Sequence, residues 1–233
     1  MKQINTILAL VLLGLMLVGN KSVFAMESPG FSTEEMSQEE IELFLSNINI
    51  SMFALEPTKE PIKCFDVNEN GMIAIGTENS NNKKVCIYSV DGIFQYGFRF
   101  KTDGSFGVEL ENDIVKIYFV RSDVSVLVNS AGEIEGLSKI SNTSENNSYW
   151  NKAVRKTSKT IGEYEYILKN DIGFLGVFAS TYSQLYRVDT RGEEILIYDV
   201  NSYQSVHMMI AFVGIIIFVS IVILTIIRQF KKL

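Results

Sequence analysis

The chain has 233 residues, 47% of them hydrophobic and 21% charged, and its formal net charge at pH 7 is −6. All 27 Asp and Glu lie in residues 26–207, where only 16 Lys and Arg oppose them and leave a net charge of −11. Such an acidic region repels nucleic acid and anionic lipid surfaces, so neither is a natural partner, and a count of two cysteines excludes a disulfide-rich scaffold.

Residues 1–25 have the pattern of a secretory signal peptide. Lys2 is followed by the apolar run 7–18, and Val23 and Ala25 stand at the positions that a signal peptidase reads. An apolar run of that length is too short to span a bilayer comfortably, so we predict a signal peptide that is cleaved. The alternative is an uncleaved first membrane helix, and either interpretation exports the middle of the chain.

Residues 26–61 form an acidic N-terminal helix segment. Ser32 and Glu35 have capping-box spacing, and apolar residues recur after them at helical intervals, which predicts a helix from about Thr33 to Asn47. We expect this helix to pack on the following domain or to shield a sheet edge; a partner-binding helix is the alternative.

Residues 62–200 alternate short runs of β-branched and aromatic residues with Asn, Asp and Gly, which is typical of strands joined by tight turns. Three first turns read VNENG, LENDI and LKNDI, and three later hairpins read SVDGIF, NSAGEI and DTRGEEI. Asn70 and Asn112 are 42 residues apart, while Asn112 and Asn170 are 58 apart, which indicates an insertion of 16 residues at about 141–162. A period near 42 with about four strands per unit predicts propeller-type blades.

This pattern resembles the repeats of NHL-like and related six-bladed β-propellers, and of bacterial membrane-anchored proteins that carry such repeats ahead of one C-terminal helix. The resemblance covers about 62–200 and implies an all-β repeat domain of three four-stranded blades. In the first blade we predict strands at Lys63–Val67, Met72–Glu78, Lys84–Val90 and Ile93–Phe100. No function follows from the resemblance, because propellers host many unrelated functions.

Three blades are fewer than the roughly four that a closed propeller needs. We therefore expect either an open arc, with the acidic helix and the insertion as covers, or a homodimer that completes a ring of three plus three blades.

The insertion carries the only tryptophan, Trp150, together with a local basic group of Lys152, Arg155, Lys156 and Lys159. The plain expectation is a solvated loop that neutralises nearby Glu residues. The alternative is a recognition loop for an anionic wall polymer, lipid headgroups or a partner's acidic face.

Few residues in the chain point to metal binding or catalysis. Asp66–Gly71 matches the first half of a calcium loop, but the second half fails, so a strand-connecting turn is the better interpretation. The single histidine, His207, lies at the start of the membrane helix and leaves the exported region without an imidazole base. Carboxylate pairs such as Glu109 with Glu111, or Glu193 with Glu194, are typical of solvated strand faces. We predict no enzyme activity, no cofactor and no metal.

Cys64 and Cys86 fall on the first and third predicted strands of one blade. Two strand spacings separate them by ~10 Å, more than the ~7 Å that a disulfide allows between Cα atoms. We therefore predict two buried free thiols.

The C-terminal part is predicted as a linker at 201–207, a transmembrane helix at 208–227 and a cytoplasmic tail at 228–233. The helix contains no charge and is followed at once by Arg228, Lys231 and Lys232, which favour the cytoplasmic side. We predict a single-pass protein of the cell membrane whose N-terminal domain is exported and acts as a binding or assembly module. A protein partner or a cell-wall polymer is the expected ligand, and the alternative is an accessory subunit of a transporter or sensor that docks through the helix.

Overall fold

The structure is a computed structural model that describes residues 30–230, except for 172, 174, 175, 177 and 178. The predicted signal peptide at 1–25 lies outside the described residues. The described chain consists mainly of antiparallel β-sheets and ends in one long apolar helix.

The chain begins with an edge-covering segment, here named the N-terminal segment, made of β1 (Thr33–Glu34), α1 (Gln38–Ile48) and β2 (Ser51–Phe53). Twelve further strands follow as three four-stranded meanders. Sheet I contains β3 (Ile62–Val67), β4 (Ile73–Asn79), β5 (Asn82–Tyr88) and β6 (Phe94–Lys101). Sheet II contains β7 (Phe106–Glu111), β8 (Ile114–Phe119), β9 (Val124–Val128) and β10 (Ile134–Ile140). Sheet III contains β11 (Ser158–Ile161), β12 (Tyr164–Lys169), β13 (Gln184–Val188) and β14 (Glu194–Asp199).

Within each meander the strands pair in chain order and are antiparallel, so the predicted all-β character of this region is confirmed, as three antiparallel sheets. The four strands predicted for the first unit agree with β3–β6 to within two residues at each end. The sequence correctly indicated these units because turn residues separate runs in which alternate side chains are apolar.

The last hairpins of the three meanders share one hydrogen-bond pattern. A side-chain oxygen at the first turn position accepts hydrogen bonds from the backbone N–H groups two and four residues later, and the glycine at the fourth position has a φ between 76° and 85°. These pairs are Ser89 with Gly92, Asn129 with Gly132, and Asp189 with Gly192. Glycine is favoured there because other L-residues are strained at positive φ.

The alignment of the third repeat was wrong in one turn. LKNDI does not form a first turn, because residues 168–169 end β12 and the chain from 170 to 183 connects β12 to β13. The true first turn of sheet III is at Gly162 and Glu163. The insertion therefore ends at Thr157 rather than at about 162, since Ser158–Ile161 is already β11.

Sheet I lies between the other two sheets and has an apolar core on each face. One core joins sheets I and II, with Phe100 in edge contact with Phe106 and Phe119 at 5.2 Å between ring centroids. The other core joins sheets I and III, where the rings of Tyr88 and Tyr198 meet at 5.7 Å. The meanders are thus stacked in the order second, first, third, which differs from an arc that follows chain order.

The N-terminal segment covers sheet edges, as expected, but α1 begins later than predicted. The capping box uses Ser37 and Glu40 instead of Ser32 and Glu35, because Thr33–Glu34 is a strand. β1 pairs with β10 at the edge of sheet II, and β2 pairs with β6 at the edge of sheet I. Between them, Phe44 and Ile48 of α1 pack on the core that sheets I and II share.

The insertion contains α2 (Ser144–Tyr149) and a π-helical turn (Trp150–Val154), and it lies against the outer face of sheet II. A Cβ atom at Gly107 of β7 would come within 2.0 Å of Val154. The Trp150 ring lies 6.0 Å from Phe31 and 6.3 Å from Tyr118. This face of sheet II is therefore occupied by the protein's own chain.

The final helix, α3 (Asn201–Phe230), includes the residues predicted as a linker. Residues 201–207 are helical and bind the connection before β13: Gln204 donates to the carbonyl of Thr181 at 3.2 Å, and Asn201 donates to the carbonyl of Asp171 at 2.9 Å. Within Asn201–Leu224 an 18-residue stretch of the helix has a mean hydropathy of 2.8, so the helix is long and apolar enough for a single membrane span. Residues 231–233 of the predicted tail lie outside the described residues.

Cys64 and Cys86 are free and buried, as predicted. They project into different cores, Cys64 toward sheet II and Cys86 toward sheet III. Burial raises the pKa of both thiols, that of Cys86 to about 12, so little thiolate forms near neutral pH.

We expect neither cysteine to react with N-ethylmaleimide in the folded protein at mildly alkaline pH, because both thiols are buried and protonated. Unfolding in denaturant should make both react at once. Mass spectrometry of the labelled chain measures this directly. Rapid labelling without denaturant, or an intact mass two hydrogens below that of the reduced chain, would contradict the strand arrangement described for sheet I.

Candidate functional site

Asp66 is a buried carboxylate at the place where the first strands of all three meanders meet. It lies on β3 and is 2% exposed. One carboxylate oxygen accepts a hydrogen bond from the backbone N–H of Leu110 on β7 at 2.9 Å. The other lies 3.1 Å from Lys156 Nζ and 2.7 Å from Lys159 Nζ, and Lys159 belongs to β11. The cost of burying this charge is offset by three donors, one from sheet II and two from the chain that leads into sheet III.

The contacts of Asp66 and Asn68 show how the Asp66–Gly71 loop is held. Asp66 is bound by two ammonium groups, and Asn68 accepts hydrogen bonds from the backbone N–H groups of Asn70 and Met72. The Asn68 amide also donates to the carbonyl of Asn112 at 2.8 Å, which joins the first turns of the first two meanders. The loop is thus the strand-connecting turn that the sequence favoured.

The basic group of the insertion divides by position. Lys156 and Lys159 neutralise Asp66, as the plain expectation of charge compensation required, although the carboxylate is an aspartate and is buried. Arg155 lies over the Trp150 ring at 5.4 Å. Lys152 and Arg155 are exposed, whereas Lys156 and Lys159 are partly buried against Asp66, so the four cations do not share one environment.

The carboxylate pairs singled out in the sequence have separate partners. Glu109 accepts hydrogen bonds at 2.5 Å from the hydroxyls of Tyr118 and Tyr149. Burial, and then the negative charge of Glu109, raises the pKa of Tyr118 well above its usual range. Glu111 pairs with Lys116, while Glu193 pairs with Arg191 and Glu194 with Lys169. His207 lies in α3, where its Nδ1 atom is 2.8 Å from the Tyr203 carbonyl oxygen.

A groove that the sequence did not reveal lies between residues 54–60 and strands β5 and β6. Its volume is about 680 Å³, within the ~300–1,000 Å³ typical of ligand sites. Residues 54–60 form one wall of the groove, and β2 positions them. β2 pairs with β6 so that Phe53 lies opposite Gly97, and the residues after Phe53 run back across the sheet. A Cβ atom at Gly97 would lie 2.4 Å from the Phe53 ring, so glycine allows this close approach.

The groove has two cations that lack a carboxylate partner among the described residues. Its two carboxylates are already paired, Glu60 with Lys84 at 3.0 Å and Glu56 with Lys59 at 3.7 Å. Arg99 is exposed, with its guanidinium 5.1 Å from the centre of the Phe53 ring. Lys101 is also exposed and follows two residues later on the same face of β6.

These features suit a ligand that has an anionic group and an apolar surface. Lys84 and Arg99 are directly opposite each other in the register of β5 and β6. Because Glu60 already pairs with Lys84, Arg99 is the cation of the two that a bound anion would meet without a carboxylate partner. Apolar contact is available from Phe53 and from Leu55, which is 85% exposed. A carboxylate or phosphate close to Arg99 would therefore gain charge-assisted hydrogen bonds while its neighbours cover apolar surface.

The sequence matches no protein-family model and shows no significant similarity to a curated protein.

We expect Asp66→Asn to lower the free energy of unfolding by about 2–3 kcal/mol, because it leaves Lys156 and Lys159 without their counter-charge. The loss is placed below that of a fully buried pair, since the two lysine side chains remain 20% and 23% exposed. Chemical unfolding of the full chain in detergent provides the measurement. Asp103→Asn is the matched control, because Asp103 pairs with Arg121 at 3.8 Å on the surface and should leave stability unchanged. Equal stability of the two variants would refute the structural role of Asp66.

Proposed function

We propose that the protein is a single-pass membrane protein whose exported β domain is a noncatalytic binding module for an acidic segment of a protein partner. The observation that carries the proposal is the groove with its unpaired Arg99 and Lys101 in a region whose net charge is −11. The Debye length at physiological salt is ~8 Å, so carboxylates farther away than this have little effect on a ligand bound beside the two cations.

The apolar wall favours a polypeptide over a phosphate-rich polymer as the ligand. Phe53 and the exposed Leu55 can be covered by apolar side chains of a peptide, whereas a wall polymer built of phosphate and sugar offers little apolar surface. Peptide segments that combine acidic and apolar residues supply both kinds of contact.

The three meanders are best interpreted as propeller-type blades that form an open arc. Each is a four-stranded meander, and their first strands, β3, β7 and β11, converge at Asp66, as innermost strands of blades would. A homodimeric ring of six blades would need the outer face of sheet II for a blade contact. That face already holds α2 and Trp150, so the open arc is the form we propose.

Anchoring is the role we propose for α3. Its first turns are hydrogen-bonded to the β domain through Asn201 and Gln204, so the domain joins the span without a flexible linker. The described side chains of residues 209–224 are exposed on all sides of the helix, and none of them is ionisable.

We expect the double variant Arg99→Glu and Lys101→Glu to weaken binding of an acidic apolar peptide by at least about tenfold, or ~1.4 kcal/mol, because it reverses both unpaired charges. A labelled peptide with alternating Glu and Leu, titrated into the full chain in nanodiscs of neutral lipid, serves as the probe in fluorescence anisotropy. Binding to the unaltered protein should also fall as salt is raised.

The matched control is Arg191→Glu with Lys139→Glu, which makes the same charge change at exposed sites on sheets III and II. This control should bind the peptide as the unaltered protein does. Equal weakening by both double variants would show a general charge effect and would refute the groove as the site. Tighter binding of polyphosphate than of the peptide would assign the groove to an anionic polymer instead.

A further inference from the structure

The fourth strands of the three meanders differ in what lies beside them. β6 pairs with β2, and β10 pairs with β1, so each gains a fifth strand from the N-terminal segment. β14 is the last strand of sheet III, and no described residue pairs with its outer edge. Such an edge presents backbone N–H and C=O groups that can form hydrogen bonds with another strand.

β14 follows the same kind of hairpin, with a glycine at positive φ, as β6 and β10 do. Its pairing with the preceding strand also contains a β-bulge, but the bulge lies at Ile197 in the second half of β14, whereas in β6 and β10 it lies near the start of the strand. The repeat therefore provides a place for a fifth strand in every sheet, and the N-terminal segment occupies two of the three places.

The side chains of β14 do not protect its edge. Natural edge strands commonly carry lysine or proline, which discourage pairing, but the sequence of β14 is EILIYD. Ile195 and Leu196 are 48% and 45% exposed. An open edge with exposed apolar side chains is a surface that pairs readily with an added strand.

The charge around this edge indicates what kind of strand it would accept. Six carboxylates lie on β12, β13 and β14 or in the turns beside them, against three cations: Glu163, Glu165, Asp189, Glu193, Glu194 and Asp199 against Lys169, Arg187 and Arg191. A strand with basic side chains would complement this excess of negative charge.

We propose that the outer edge of β14 is a docking site for a short strand of a protein partner that carries basic residues alternating with apolar ones. The strand runs antiparallel to β14, as β1 and β2 run relative to their neighbours. This site is separate from the groove and does not depend on the function proposed for it.

A second copy of this chain is a poor occupant of the edge. Antiparallel pairing of two β14 strands in full register places Glu194 opposite Asp199 at both ends, where like charges repel. It also places the two α3 helices at opposite ends of a strand pair ~20 Å long, because α3 begins two residues after β14 ends. Two such helices cannot enter one membrane in the same direction.

Hydrogen–deuterium exchange of the full chain in neutral nanodiscs tests the proposal, with the peptide Lys-Val-Lys-Val-Lys-Val as the probe. The outward-facing amides of residues 194–199 should exchange fast in the free protein and about tenfold more slowly with peptide at about ten times its Kd. The peptide Lys-Pro-Lys-Pro-Lys-Pro has the same charge but cannot form a strand, and it should give no protection.

Two variants separate edge pairing from general effects. Ile195→Lys with Leu196→Lys should abolish the protection, while Leu43→Lys, at an exposed position of α1, should leave it intact. The groove variant Arg99→Glu with Lys101→Glu should also keep it. Amides of 194–199 that are protected before peptide is added, equal protection by the proline peptide, or protection that rises with protein concentration alone would each overturn the proposal.

Discussion

The arrangement of the three repeats depends on one buried carboxylate. The apolar cores between the sheets are large but non-directional, so they do not by themselves fix how one sheet is positioned on the next. Asp66 supplies the direction, because one oxygen accepts from the Leu110 amide and the other binds two lysines. A sheet displaced by one residue would leave that charge buried without its donors, which is a large penalty compared with the loss of a few apolar contacts.

The same interaction accounts for the order of the sheets. In a regular arc the sheets follow chain order, so the third sheet would pack on the outer face of sheet II. Instead the insertion fills that face with α2 and Trp150 and then delivers Lys156 and Lys159 to Asp66 on sheet I. β11 therefore starts beside β3, and sheet III packs on the free face of sheet I. The insertion thus covers the outer face of sheet II and also directs the chain back to sheet I.

Features with local causes could be predicted from the sequence, and features with distant causes could not. The hairpins at Gly92, Gly132 and Gly192 follow from turn chemistry within five residues, and the strands of sheet I follow from apolar alternation between such turns. Two residue pairs near the start of α1 have capping-box spacing, Ser32 with Glu35 and Ser37 with Glu40. The helix uses Ser37 because Thr33–Glu34 pairs as a strand with β10, more than a hundred residues away. Lys159 resembled a surface charge because its partner, Asp66, lies 93 residues earlier. The groove was missed for the same reason, since Arg99 and Lys101 become a site only when residues 54–60 fold back over β5 and β6.

In the function that we propose, the acidic composition of the domain and the cationic groove together determine which partner can bind. Charge interactions are largely screened beyond a Debye length of ~8 Å, so the groove attracts an acidic segment only at short range, while the net charge of −11 opposes the approach of acidic molecules to the rest of the surface. A partner confined to the same membrane is held at short range, because two anchored proteins have a much higher effective concentration than two soluble ones. The hydrogen bonds from Asn201 and Gln204 add to this effect by removing the flexible linker, which narrows the range of positions that the groove can take relative to the span. For the binding module that we propose, a neighbour on the same membrane is therefore a better partner than a soluble acidic ligand.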